Sequence, residues 1–104
     1  DPESAELIRQ ALNFLEVLKP GKSVTAREIS EIHLSRQNGI TLTALNGMSI
    51  RVGLGEFAEK VSRLEKILPD LQAKMKDVEY LDLKYPRKVV VKMRVLEKER
   101  SRRA

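Results

Sequence analysis

Few residues in this chain are equipped for chemistry. Gly53-Leu54-Gly55-Glu56-Phe57-Ala58 spells G-x-G-x-x-A between a strand-like run and a helix-like run. That pattern can receive a dinucleotide's pyrophosphate on bare amides at a helix start. Here Glu56 would set a carboxylate beside that anion. The preceding strand also reads as half of a hairpin rather than half of a parallel βαβ unit. The glycines are therefore read as backbone freedom for a strand-to-helix turn, with Glu56 and Glu59 matching the helix dipole. His33 is the single histidine. Glu31 is its same-face neighbour on a strand, which is too little for a metal centre, and one His with no oriented acid makes no nucleophilic triad. The carboxylate pairs Glu56/Glu59 and Asp77/Glu79 fall on helix-start and strand positions with nothing around them to raise a pKa. With no cysteine, thiolate nucleophiles, disulfides and Cys-based zinc sites are excluded. The sequence is that of a non-enzyme, with no catalytic residues, no metal and no cofactor expected.

The elements that carry these residues follow from hydrophobic period. Over residues 3–19, Leu7, Ile8, Ala11, Leu12, Leu15 and Leu18 recur at helical steps and predict one apolar stripe, which Pro20-Gly21 ends. Ile29–Leu34 reads as a strand, Gln37-Asn38-Gly39 as a turn, and Ile40–Leu45 as a strand of period two. Asn46-Gly47 predicts a two-residue type I′ hairpin, with Met48–Val52 as the partner strand. From Glu56 the period becomes helical through Phe57, Val61, Leu64, Leu68, Leu71 and Met75, and Pro69 predicts a kink or restart near Leu68. Val78–Leu83 and Val89–Met93 read as strands joined by a turn around Pro86. The predicted fold is α+β in the order α-β-β-β-α-β-β, a mainly antiparallel sheet with two amphipathic helices on one face.

The 104 residues suit one domain with a single modest core. No apolar run is long enough to span a membrane and no signal peptide opens the chain. The first residue is Asp1 rather than Met, so the expectation is a piece of a longer protein. The net charge of +5 is unevenly spread: residues 1–83 carry 11 Lys/Arg against 13 Asp/Glu, whereas residues 84–104 carry nine against two. Residues 1–95 are expected to form the domain, and residues 96–104 a basic, disordered tail.

That basic end raises a nucleic-acid-binding α+β domain as an alternative. The order α-β-β-β-α is that of double-stranded-RNA-binding modules. Such a module needs a basic start to its second helix, whereas this one opens with Glu56 and Glu59, and it has no place for two further strands. Four aromatics are few for single-strand stacking. The closing strand is more informative. A terminal strand often lies at a sheet edge, where unpaired N–H and C=O groups can pair with another chain. Lys88, Lys92 and Arg94 flank the apolar Val89-Val90-Val91. They suit gatekeepers against aggregation and, equally, the rim of a docking edge for one partner segment.

The run Tyr80-Leu81-Asp82-Leu83-Lys84-Tyr85-Pro86-Arg87-Lys88-Val89-Val90-Val91 closely resembles the Y-[IV]-D-[LV]-R-Y-P-x-x-[VA]-x-V segment of the bacterial FtsQ/DivIB cell-division family. The strand pair Ile29–Leu34 and Ile40–Leu45, the strand Met48–Gly53 ending in glycine, and the helix Phe57–Leu64 leading to Leu68-Pro69 agree with it. The resemblance covers about residues 5–94, with Lys84 where Arg is usual. It implies the extracytoplasmic (periplasmic) β domain of a single-pass inner-membrane protein, whose upstream transmembrane helix and POTRA domain are not in this sequence. It also implies a non-catalytic scaffold of the division complex that binds FtsB, and through it FtsL, and helps control septum formation. In that family the partner adds a β-strand to the last strand of the sheet. By position, Lys84, Tyr85, Arg87, Lys88, Val89, Val90, Val91, Lys92 and Met93 would form the docking edge, with Met93 where a larger aromatic can occur. The basic residues would steer an acidic partner segment. No nucleic acid is expected as a partner, and the isolated domain is expected to be monomeric.

Overall fold

A computed structural model of the chain describes residues 1–18, 29–44 and 46–95. The predicted tail, residues 96–104, lies outside the described residues, as do residues 19–28 and Leu45. The elements are α1 (Pro2–Leu18), β1 (Ile29–Ser35), β2 (Gly39–Ala44), β3 (Ser49–Gly53), α2 (Phe57–Leu71), β4 (Val78–Asp82) and β5 (Val90–Met93), with a 3₁₀ segment at Gln72–Asp77. The order α-β-β-β-α-β-β is as the sequence predicts.

The strands form one sheet in the order β1-β2-β3-β4-β5. Three pairings are antiparallel, but β3 and β4 run parallel, with Ile50 opposite Leu81. The sheet is thus mainly antiparallel, as predicted, with one parallel pair, which makes β3 at once half of a hairpin and the first strand of the βαβ unit that the sequence reading sets aside. The connection through α2 explains this: a helix laid back over a sheet returns the chain in the direction it left.

Alternation selects the buried face. Ile40, Leu42, Ile50, Val52, Leu81 and Leu83 point to one side and meet Phe14, Leu18, Phe57, Val61, Leu64 and Leu68 from the helices. Phe14 and Phe57 touch edge to face, with centroids 5.4 Å apart. The α1 stripe is rotated from its predicted position. Ile8 and Leu12 are 54% and 58% exposed, while Phe14, outside the predicted stripe, is 1% exposed. Ala11, Phe14 and Leu18 lie three and four apart, so the largest side chain sets the buried line and Ile8 and Leu12 fall beside it.

Two predicted breaks differ in detail. Pro69 lies inside α2, which runs on to Leu71 and tightens into the 3₁₀ turn without restarting at Leu68. Pro69 is exposed in the last turn, where its missing amide removes one i→i−4 bond near the end of the helix and the chain continues regardless. In the β2–β3 hairpin, Ala44 N–H donates to the Met48 carbonyl and Gly47 N–H to the Ala44 carbonyl, with Gly47 at φ +87°. The connection is thus one residue longer than a two-residue type I′ turn, and only the glycine's left-handed backbone is in evidence.

Candidate functional site

The described residues offer no group of three or more His, Asp or Glu side chains that could hold a metal. His33 lies exposed on β1, its Nε2 2.8 Å from Glu31 Oε2, on the sheet face away from the helices. The glycine-rich turn is occupied from within the chain. Lys60, buried on α2, donates from Nζ to the carbonyls of Val52 (2.8 Å) and Leu54 (3.1 Å). Burial pushes the Lys60 ammonium below its ordinary pKa, with Glu56 acting in the opposite direction. Gly53, Gly55 and Glu56 all have positive φ, and Glu56 precedes α2 without capping it through its side chain. The parallel β3–α2–β4 unit removes one sequence argument against a dinucleotide site. The turn still carries a carboxylate where an anion would sit, and its lysine is already committed to backbone carbonyls.

The Tyr80–Pro86 run is built residue by residue into the sheet's far end. Arg51 of β3 stacks over the Tyr80 ring, 3.7 Å from guanidinium carbon to centroid. Leu81 and Leu83 enter the core. Asp82, buried, accepts the Lys84 amide on Oδ1 at 2.9 Å and so starts the turn. Arg87 then takes φ +62°, a left-handed backbone that side chains rarely adopt. Across this turn lies Arg63 of α2. Its Nη1 donates to the carbonyls of Tyr85 (2.6 Å) and Lys88 (2.5 Å), and its Nη2 to Leu83 O (3.3 Å) and Glu59 Oε2 (3.0 Å). Its Nε lies 2.7 Å from Glu59 Oε1 as a charge contact without hydrogen-bond alignment.

β5 follows, and among the described residues β4 is its sole strand neighbour in the sheet. Leu83 N–H donates to Arg51 O on the β3 side. By alternation, Tyr80 and Asp82 turn their backbone groups toward β5, where they face Lys92 and Val90. Arg94 N–H donates inward to Asp77 O at 2.6 Å, in the same phase. The backbone N–H and C=O of Val91 and Met93 therefore point outward.

The nine sequence-predicted site residues divide accordingly. Val90, Val91, Lys92 and Met93 form β5, and Val89 leads into it. Val89 and Val91 pack against the core, whereas Lys92 and Met93 are exposed. Tyr85, Arg87 and Lys88 form the turn, Tyr85 exposed with Lys88 Nζ 5.2 Å from its ring centroid. Lys84 stands apart: its side chain runs against Gly53 at the end of β3. An open recess of about 260 Å³ beside the start of β5 is lined by Arg63, Lys66, Ile67, Asp70, Arg87 and Lys88, with Val89. Sequence reasoning missed Lys60 and Arg63. Their one local signal is a cation on the edge of the apolar stripe of α2, next to Val61 and Leu64.

Residues 1–84 match the family model described as "Cell division protein FtsQ/DivIB, C-terminal". Among curated proteins, the chain is 39% identical over 94 residues to a protein named "Cell division protein FtsQ" from Geobacter sp. (strain M21), covering 88% of this chain and 34% of that protein. Proteins of the same name from Geotalea daltonii and Syntrophotalea carbinolica are each 34% identical, over 88% and 83% of this chain and 34% and 31% of theirs. The chain thus spans about a third of the length of the relatives it matches.

Proposed function

The chain belongs to the FtsQ/DivIB family of cell-division proteins, and from that premise we propose that it is a non-catalytic interaction module of the division complex. In this reading an FtsB- or FtsL-type partner adds a β-strand to the outer margin of β5 and thereby helps control septum formation. The observation that carries it is the outward-facing backbone of Val91 and Met93 on a marginal strand. Such groups supply affinity through main-chain bonds, and neighbouring side chains supply choice. Arg87, Lys88 and Lys92 are exposed around that margin and suit an acidic partner segment, raising its rate of arrival more than the final affinity. Lys84, lying against β3, is left outside the edge. The domain is read as extracytoplasmic, on a parent anchored in the inner membrane. No observation favours the nucleic-acid alternative, since Glu56 and Glu59 stand at the start of α2.

Chemical-shift mapping of the isotope-labelled chain with peptides tiling FtsB tests the proposal. One peptide should perturb residues 87–93 most strongly. Perturbations confined to the helices, or to the other marginal strand β1, would contradict it.

A further inference from the structure

Arg63 is 13% exposed and directs its guanidinium at neither the core nor the solvent. Three carbonyls from one short stretch, those of Leu83, Tyr85 and Lys88, converge on it from across the gap between α2 and the β4–β5 turn. That turn is a segment that needs holding. It contains Pro86, which has no amide to donate, and Arg87 in the left-handed region. A local bond, Lys84 N–H to Asp82 Oδ1, fixes its first residue only. A planar fork with five donors can serve several carbonyls at once, which a lysine ammonium does with far less directional order.

We propose that Arg63 is a positioning residue for the β5 margin. It holds the turn in the free protein so that β5 is already laid out as a partner strand requires. It also occupies the carbonyls of Tyr85 and Lys88, so that an added strand begins its ladder beyond Lys88. This rests on the reading of β5 as a docking edge. Without Arg63 the turn samples several arrangements and only a fraction of molecules present a competent edge. Association then slows in proportion to that fraction, while dissociation from the completed ladder is unchanged.

The experiment measures binding kinetics with the FtsB peptide identified by tiling, together with amide exchange over residues 84–90 of the free chain. In Arg63→Met, exchange there should accelerate and association should slow about tenfold, with dissociation within about twofold of native. Arg63→Lys, the milder change should Arg63→Met fail to fold, should move both readouts in the same direction by less. Glu59→Gln, which removes the ion pair and spares the three carbonyl bonds, should behave as native. Native association in Arg63→Met, an effect carried by dissociation, or a turn that stays protected would each overturn the proposal. If native chain binds no tiled peptide, the docking reading falls and this inference with it. If it binds and Arg63→Met binds at the same rate, only the role of Arg63 falls.

Discussion

Lys60 and Asp82 are the two buried charged residues among those described, and each is placed by what it holds. Lys60 ties the carbonyls of Val52 and Leu54 to α2. Lys60→Met would leave the Val52 carbonyl buried without that donor, at a cost of about 1–3 kcal/mol, which denaturant unfolding would register. The pH dependence of that cost has a definite sign. Burial holds the folded pKa of Lys60 below its ordinary value of 10.5. Between the folded and unfolded values the unfolded chain binds more protons, so native stability gains with rising pH there. The stability gap between native and Lys60→Met should therefore widen as pH rises from neutrality toward 10.5. A gap that narrows would mean that Glu56 and the two carbonyls outweigh burial and raise the pKa. Asp82 works more locally: its carboxylate stands where the Lys84 amide would otherwise be unpaired, which gives the Asp of the Tyr80–Pro86 run a structural purpose.

At the scale of the element, the two sides of β5 predict opposite results from the same substitution. Val91→Pro removes an amide that points outward, so the ladder to β4 survives. The domain should stay folded, losing on the order of 1 kcal/mol through poorer packing, while peptide binding disappears. Val90→Pro removes an amide that faces Asp82, and should detach β5 and lower the thermal midpoint sharply. Circular dichroism melts and peptide titration of the pair check this; equal effects at both positions would mean that the phase of the ladder is misassigned. The strands themselves were legible because period-two runs such as Ile40–Ala44 bury one face. Strand order and the parallel β3–β4 pairing were not, because α2 decides them after the chain leaves β3. The α1 stripe was only partly legible: Ile8 and Leu12 satisfy a helical spacing as well as Phe14 does, and volume rather than spacing decides which is buried. For Arg63 the local signal stops at a cation beside the apolar stripe of α2; its bonds to carbonyls 20 to 25 residues along the chain depend on where the β4–β5 turn comes to lie.

At the scale of the molecule, the described residues form a five-stranded mixed sheet with both helices on one side, and that sheet has two margins, β1 and β5. β1 is the longer and carries Ile32 and Leu34 exposed, so marginal position alone does not single out β5. What sets β5 apart is the combination of outward backbone groups at Val91 and Met93, a turn fastened by Arg63, and exposed Arg87, Lys88 and Lys92. Amide exchange, residue by residue along β5 with and without a saturating FtsB peptide, tests this most directly. In the free chain the amides of Val90 and Lys92 should exchange slowly and those of Val91 and Met93 fast; with peptide bound, Val91 and Met93 should become slow. Val91 and Met93 amides that exchange as fast in the complex as in the free chain would contradict strand addition at β5.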